Sequence, residues 1–408
     1  MRRITTHLGF NNVAVALFAL MTATALLSPQ AMSAQTFTVL YSFTGGADGR
    51  APYAGLVRDN AGNLYGTTYQ GGSPTWCPHG CGTVFKVDTA GNETVLHTFL
   101  GGKDGAYPSY GYLLRDAAGN LYGTTYDGAS PGNGTAFMIS AAGKELFLPF
   151  AGGANGGHPS AGLISDPAGN FYGTTTYRGS GCAPYGCGTV FKISKTGKET
   201  VLHSFSNGSD GAYPYAQLLR DSAGNLYGTT QGGGTDGVGT VFEIDSSGKE
   251  KVLYSFHADP ADGNFPYAGL IEDASGNLYG TTAYGGMLGA GIVFKIDKSG
   301  QETIVYNFCA QFCADGGTPY GNLVMDSSGN FYGTTSSEGD PESSSGTIFK
   351  LTPTGQLTVL HTFCSQFQCS DGAIPLDGLL LDKSGNLYGT ASSGGVNNHG
   401  TVFKLTLQ

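Results

Sequence analysis

The chain has 408 residues, of which 68 are Gly and 17 are Pro, and its formal net charge is −10. Charged residues make up 12 % of the sequence, about half of the usual quarter, and their scarcity beside so much Gly argues against a helical protein. An aromatic content of 12 % argues against disorder, and the negative charge opposes binding to nucleic acid or to an anionic membrane. The composition therefore predicts a β-rich fold with many tight turns.

Residues 1–34 have the pattern of a secretory signal peptide. Basic residues at the start precede an apolar run at 13–27, which is shorter than a typical membrane span. Small residues follow, so we expect cleavage near Ala34. The mature chain is predicted to be secreted or periplasmic, with no membrane span after cleavage. An uncleaved membrane anchor is the alternative.

The hexapeptide Gly-Asn-(Leu/Phe)-Tyr-Gly-Thr recurs at intervals of 50 to 57 residues. Its copies begin at Gly62, Gly119, Gly169, Gly224, Gly276, Gly329 and Gly385. Around each copy, four short runs of β-branched and aromatic residues are separated by turns rich in Asp, Ser and Gly, which predicts four strands per repeat, here called a, b, c and d. In the fourth repeat these strands are predicted at 216–220, 225–230, 239–244 and 251–256.

Seven repeats of four antiparallel strands predict an all-β fold, a seven-bladed β-propeller spanning 35–408 as one domain. The last repeat ends after strand c, at 400–405, whereas the segment 37–43 matches the d strand of the sixth repeat. We therefore expect the first strand of the mature chain to complete blade 7 and close the ring. A solenoid is the alternative, but it would not need complementary partial repeats at its ends.

Three units of the first repeat, at 62–68, 82–86 and 93–99, resemble the GloVer tandem repeat of exported bacterial proteins called "choice-of-anchor" proteins. The resemblance covers nearly all of 37–405. It implies an exported bacterial protein with a propeller-like fold, and it implies no defined activity.

Function is expected on the face formed by the d–a and b–c loops, because these are longer and more variable than the a–b and c–d turns. All eight cysteines lie in these loops as four close pairs, which predicts local disulfides in an exported protein. The predicted pairs are Cys77–Cys81, Cys182–Cys187, Cys309–Cys313 and Cys364–Cys369. Zinc held by two converging pairs is the alternative.

Aromatic residues beside the prolines of the d–a loops are candidates for contact with a sugar or peptide, since tyrosine offers both an apolar face and a hydroxyl. They are Tyr53, Tyr110, Tyr215, Tyr267 and Tyr320. Trp76 and His79 in the first b–c loop, and Tyr185 in the third, are further candidates because they belong to no repeated core position. The alternatives are packing between blades for the first group and cover of their own loops for the second.

An Asp-Gly-x-x-Pro pattern recurs in the d–a loops, with Asn155 in place of Asp in one copy. The aspartates are Asp48, Asp104, Asp210, Asp262, Asp315 and Asp371. A ring of carboxylates near the channel would suit Ca²⁺, but Asp-Gly also simply forms a turn, and no Asp-x-Asp-x-Asp-Gly loop is present. We predict no cofactor, with Ca²⁺ as the alternative.

No His-Glu-x-x-His motif and no Gly-x-x-x-x-Gly-Lys-(Ser/Thr) phosphate-binding motif occurs in the sequence. The near-uniform repeats favour a non-enzymatic binding or scaffold module whose loop face holds a polysaccharide or a cell-surface partner. One alternative is a lyase, hydrolase or lactonase acting at the central channel, for which the unmatched His158, Arg178, Glu272 and Glu338 are candidates. A self-associating surface protein is another.

Overall fold

The computed structural model describes residues 35–108, 111–130, 132–310, 313–337 and 345–407. The predicted signal peptide, Tyr110 and Glu338 lie outside the described residues. Gln35–Gln408 forms one compact unit. No helix among the described residues is both long and apolar enough to cross a membrane.

Seven four-stranded antiparallel sheets form the blades, as the repeats predict. The first strand, β1 (Thr36–Ser42), belongs to blade 7. Blade 1 contains β2 (Val57–Arg58), β3 (Leu64–Thr68), β4 (Thr83–Val87) and β5 (Glu93–Thr98). Blade 2 contains β6 (Leu114–Arg115), β7 (Leu121–Thr125), β8 (Thr135–Ile139) and β9 (Glu145–Pro149). Blade 3 contains β10 (Ile164–Ser165), β11 (Phe171–Thr175), β12 (Thr189–Ile193) and β13 (Glu199–Ser204). Blade 4 contains β14 (Leu219–Arg220), β15 (Leu226–Thr230), β16 (Thr240–Ile244) and β17 (Glu250–Ser255).

The remaining blades follow the same order, with small additions in the loops. Blade 5 contains β19 (Ile271–Glu272), β20 (Leu278–Thr282), β22 (Ile292–Ile296) and β23 (Glu302–Asn307), and its loops pair through β18 (Gly263–Asn264) and β21 (Tyr284–Gly285). Blade 6 contains β24 (Val324–Met325), β25 (Phe331–Thr335), β26 (Thr347–Leu351) and β27 (Leu357–Thr362). Blade 7 contains β28 (Leu380–Leu381), β29 (Leu387–Ala391) and β30 (Thr401–Thr406), followed across the sheet by β1. Short 3₁₀ turns occur at Gly153–Asn155 and Phe367–Cys369.

The first and last strands close the ring, which confirms the prediction from the partial repeats. Strand β1 runs antiparallel to β30, with Thr36 opposite Thr406 and Ser42 opposite Thr401. A register shift between Val39 and Tyr41 matches the shift between strands c and d in five other blades. The N-terminal strand is therefore an ordinary d strand supplied from the other end of the chain.

The a strands are shorter than the sequence predicts, with only two paired residues in each blade. The backbone just before each one bonds to neighbouring blades instead of to strand b. In blade 1, for example, the Ala54 carbonyl accepts a hydrogen bond from the Thr390 hydroxyl at 3.0 Å. The Gly55 N–H donates to the Asp377 carboxylate at 2.7 Å. The start of each a strand thus belongs to the contact between blades.

The repeated hexapeptide builds the a–b turn. In blade 1, Asp59 accepts hydrogen bonds from the Asn63 N–H at 2.9 Å, from Asn63 Nδ2 at 2.7 Å and from the Tyr65 hydroxyl at 2.9 Å. The same arrangement recurs in the other six blades. Although partial burial raises the pKa of Asp59, these hydrogen bonds outweigh it and hold that pKa below its ordinary value.

Phenylalanine pairs join each blade to the next. The Phe after each d strand meets the Phe of the following c strand edge to face, with ring centroids 5.0–5.3 Å apart. The pairs are Phe43–Phe85, Phe99–Phe137, Phe150–Phe191, Phe205–Phe242, Phe256–Phe294, Phe308–Phe349 and Phe363–Phe403. Each ring is at most 3 % exposed.

The glycine inside strand b makes room for this packing. A Cβ on Gly66 would lie 2.7 Å from the Phe85 ring and 2.9 Å from Leu56, closer than real atoms approach. The glycines at this position in the other six blades face the same two neighbours, a c-strand Phe and the Leu immediately before strand a. The glycine of the hexapeptide is therefore required by packing.

We expect Phe43→Ala to lower the free energy of unfolding by about 3–5 kcal/mol, as for other buried aromatic side chains. Phe205→Ala should cost a similar amount, because both rings pack on a c-strand Phe of the next blade. Leu146→Ala is the control, since Leu146 is 60 % exposed. Denaturant unfolding measures all three variants. A Phe43→Ala variant as stable as the control would contradict ring closure by β1.

Glutamates at the start of several d strands are partly buried against the neighbouring blade. Burial raises the pKa of Glu93, Glu199 and Glu302 to about 7, with Asp48 adding to the shift at Glu93 and Asp262 at Glu302. One carboxylate oxygen of each is buried without a hydrogen-bond partner among the described residues. Leu357 occupies the same position in blade 6.

These glutamates make the fold more stable near pH 5 than near pH 8. A carboxyl group with a raised folded pKa contributes stability that is complete below its unfolded pKa, near 4.5 for Glu199, and is lost as pH rises through about 7. We therefore expect Glu199→Leu to raise the melting temperature near pH 8 more than near pH 5.

The matched control is Glu272→Leu at an exposed position, which should leave the pH dependence of the melting temperature unchanged. Thermal melts of the wild type and both variants across this range measure the effect. A Glu199→Leu variant with the pH dependence of the wild type would refute the assignment.

Candidate binding site at the central channel

The d–a and b–c loops of each blade are joined to one another on one face of the propeller. In blade 1, Arg50 and Gln70 form a backbone bridge between the two loops, and equivalent bridges occur in five other blades. In blade 5 the bridge lengthens into the β18–β21 pair. These pairings make the longer loops a continuous structure around the channel mouth.

Four disulfides lie within these loops, in the pairs that the sequence predicts. Cys77–Cys81 and Cys182–Cys187 close the b–c loops of blades 1 and 3. Cys309–Cys313 and Cys364–Cys369 close the d–a loops that lead into blades 6 and 7. Since each bridge spans only a few residues, its main effect is to restrict the loop that contains it.

A cavity of about 620 Å³ opens at the channel mouth on this face. We call it the tyrosine cup, because six tyrosines form most of its wall. The tyrosines are Tyr53, Tyr69, Tyr126, Tyr215, Tyr267 and Tyr320. The other lining residues are Gly111, Ser160, Ala216, Gln217, Asn322, Leu376 and Asp377.

The tyrosines of the cup support one another. Tyr53 stacks on Tyr69 at 4.8 Å between ring centroids, and Tyr267 contacts both Tyr215 and Tyr320 at 5.3 and 5.1 Å. Burial raises the pKa of the Tyr126 phenol to about 12, with nearby tyrosines adding to the shift. The Tyr126 phenol is therefore neutral at physiological pH.

Tyr112 of blade 2 extends past blade 1 to blade 7. Blade 2 has one more residue than blade 1 between the d–a loop proline and the turn aspartate. Its ring occupies the space that a Cβ on Gly55 would need, and its hydroxyl lies 3.5 Å from the Leu379 carbonyl of blade 7. Burial, with a further contribution from Asp377, raises the pKa of the Tyr112 phenol well above its ordinary value.

Asp377 is the one charged side chain among the described residues that line the cup. Its Oδ2 accepts hydrogen bonds from the Gly55 N–H at 2.7 Å and the Gly111 N–H at 3.2 Å, and its Oδ1 accepts one from the Gly378 N–H at 2.6 Å. The carboxylate thus joins blades 7, 1 and 2 at the axis. Burial raises the pKa of Asp377 to about 6, although these three hydrogen bonds oppose the shift.

Asp377 occupies a position at which blade 7 differs from the other repeats. The corresponding positions in blades 1, 3, 4, 5 and 6 hold only small residues, namely Ala54, Ala161, Ala216, Ala268 and Gly321. One position later, Gln217 and Asn322 replace the Gly found in blades 1, 3, 5 and 7. Motif analysis missed these three residues, yet a column-by-column comparison of the repeats would have found them.

The sequence candidates fall into two groups. Tyr53, Tyr215, Tyr267 and Tyr320 line the cup together, whereas Tyr110 lies outside the described residues. Trp76, His79 and Tyr185 do not line the cup but stand exposed at the tips of b–c loops, with Trp76 75 % and Tyr185 73 % exposed. Tyr69 and Tyr126, which follow b strands, were not singled out from the sequence.

The six d–a loop aspartates lie beside the outermost strands rather than around the channel. Asp48, Asp262 and Asp315 accept hydrogen bonds from the Tyr hydroxyl of the preceding d strand at 2.7–2.9 Å. The other three face the d-strand His at 3.2–3.5 Å, in the pairs Asp104–His97, Asp210–His203 and Asp371–His361. No group of three or more metal-ligating side chains occurs among the described residues.

Comparison with known proteins gives one family and two structural likenesses of note. The family model described as the Gloeobacter/Verrucomicrobia repeat matches residues 26–206 and 179–403. Comparison with curated proteins gives no significant match.

Both structural likenesses extend over most of each chain. A gluconolactonase from Xanthomonas campestris is 14 % identical, with a TM-score of 0.43, over 92 % of this chain and 90 % of its own. A luciferin-regenerating enzyme is 12 % identical, with a TM-score of 0.43, over 91 % of this chain and 95 % of its own.

Proposed function

The chain belongs to the Gloeobacter/Verrucomicrobia repeat family, and we propose that it is an exported carbohydrate-binding protein that holds a glycan in its tyrosine cup. The observation that carries the proposal is the wall of six tyrosines around a cavity of about 620 Å³. Cavities of about 300–1,000 Å³ with a mainly apolar lining and a few polar groups are typical of small-ligand sites.

The wall suits a sugar because a pyranose has an apolar C–H face and a polar edge. The tyrosine rings offer flat surfaces for the C–H face, and their hydroxyls offer hydrogen bonds to the edge. Tyr267 lies between Tyr215 and Tyr320 and contacts both of their rings.

Two amides add directed polar groups. Gln217 Nε2 donates to the Leu163 carbonyl at 3.0 Å, which fixes the side chain and leaves its Oε1 as an acceptor. Asn322 Oδ1 accepts a hydrogen bond from the Gly269 N–H at 2.5 Å, which leaves its Nδ2 as a donor. Fixed amides of this kind give hydroxyl-specific recognition at little entropic cost.

Export is supported by the signal-peptide pattern and by the four disulfides, which are typical of proteins that fold in an oxidising compartment. The exposed loop tips with Trp76 and Tyr185 would meet the remainder of a polysaccharide or a cell-surface partner. Exposed aromatic side chains at loop tips are enriched at such contacts.

An enzyme acting at the channel is the second candidate, and the observation that favours it is Asp377. A carboxyl group with a raised pKa inside a cavity is the usual form of a general acid or base. Turnover of a bound glycan that is lost in Asp377→Ala but kept in Tyr185→Ala would support this function over binding alone.

We expect Tyr267→Ala to weaken the binding of neutral oligosaccharides about tenfold or more, because it removes the central ring of the wall. Isothermal titration calorimetry with soluble cello-, malto- and N-acetylchito-oligosaccharides measures this loss. Met287→Ala is the matched control, since Met287 is in the same blade and on the same face but 77 % exposed at a loop tip.

The single tryptophan gives a second readout. A trisaccharide bound in the cup should leave Trp76 fluorescence unchanged, whereas a longer polymer that reaches the loop tips should alter it. Equal affinity in Tyr267→Ala and the wild type would contradict a site in the cup.

A further inference from the structure

We propose that the tyrosine cup selects glycans that carry a free amino group, with Asp377 receiving the ammonium group inside the cup. The inference rests on the proposed carbohydrate site and names the class of sugar it takes. Asp377 lines the cavity and is the one charged side chain among the described lining residues, so the cup presents a single negative charge to its ligand.

The carboxylate lacks a cation from the protein. No Lys, Arg or His among the described residues forms an ion pair with Asp377. The ion pairs that the described residues do form lie at the outer strands and loops. A buried charge without a partner is costly, and a cationic ligand would remove this cost. The protein's net charge of −10 also favours the approach of a cation.

The carboxylate keeps one acceptor position. An ionised carboxylate offers about four lone-pair directions, and backbone N–H groups of Gly55, Gly111 and Gly378 occupy three of them. These bonds hold the group in a fixed orientation at the cavity surface. An ammonium group could therefore bind without any rearrangement of the side chain.

The surrounding rings favour the same ligand. The faces of tyrosine rings carry negative partial charge and attract cations placed over them. The Tyr112 phenol, whose pKa is raised, adds a neutral group beside Asp377 rather than a competing charge. Carboxylate and ring faces together thus match a ligand that is part cation and part pyranose.

The other blades show which residue can take the place of Asp377 in a test variant. Asp377→Ala gives blade 7 the residue that blades 1, 3, 4 and 5 have at this position. Asp377→Asn keeps the size of the side chain and removes its charge. Circular dichroism and melting temperature show whether each variant is folded, and the comparison of ligands within the wild type needs no variant at all.

The decisive experiment compares three trisaccharides that differ only at the second carbon of each sugar. These are the β-1,4-linked trimers of glucosamine, of N-acetylglucosamine and of glucose, titrated into residues 35–408 near pH 7 and at physiological salt. We expect the glucosamine trimer to bind about tenfold more tightly than the other two, the gain typical of a hydrogen bond to a charged group. Asp377→Ala and Asp377→Asn should abolish this preference, so that each variant binds the three trimers with equal affinity.

The outcomes separate the inference from the proposed function. Equal binding of all three trimers would overturn the amine preference and leave the carbohydrate site standing. A preference that survives both Asp377 variants would also overturn the inference, since it would arise from the overall charge. Binding of none of the three would remove the support for both.

Discussion

In every blade, strand b lies directly against an aromatic ring of strand c, and this close approach determines how the blades pack together. Gly66 and its six counterparts leave no room for a side chain, so each c-strand Phe can lie over strand b and reach the Phe that follows the d strand of the preceding blade. Because this contact is repeated between all seven pairs of blades, the number of repeats fixes the size of the ring. A closed ring in turn fixes the place of every loop around the axis.

The loop residues make two kinds of contact on this rigid ring. At the outer side, the d–a loop aspartates bond to the Tyr or His of a d strand, as Asp262 does to Tyr254, and so hold the loop to its blade. At the axis, the repeat is broken by Tyr112, Gln217, Asn322 and Asp377, which bond across blades. The residues that recur in the blades thus maintain the ring, whereas the residues that differ between blades give the cup its polar and charged groups.

The propeller and its closure could be predicted from the sequence because the signals are local and repeated. A hexapeptide found seven times reveals the blades, and the match of 37–43 to a d strand reveals where the chain closes. The four cysteine pairs could be predicted for the same reason, since their partners are close in sequence.

The cup was harder to predict because its lining residues come from different blades and meet only around the axis. Tyr53 and Tyr320 lie far apart in the sequence, and nothing in a single repeat shows that they share one cavity. Motif searches favour what recurs, so they drew attention to the Asp-Gly turns and away from Asp377, which occurs once. The length of the a strands was also overestimated, because an apolar run does not show which backbone groups bond to a neighbouring blade.

A crystal structure of residues 35–408 with a bound glucosamine trimer would show where the sugar binds. We expect one sugar ring packed against Tyr267 and Tyr215, with its amine directed at the Asp377 carboxylate. Sugar bound at the loop tips beside Trp76, with the cup holding only water, would contradict it.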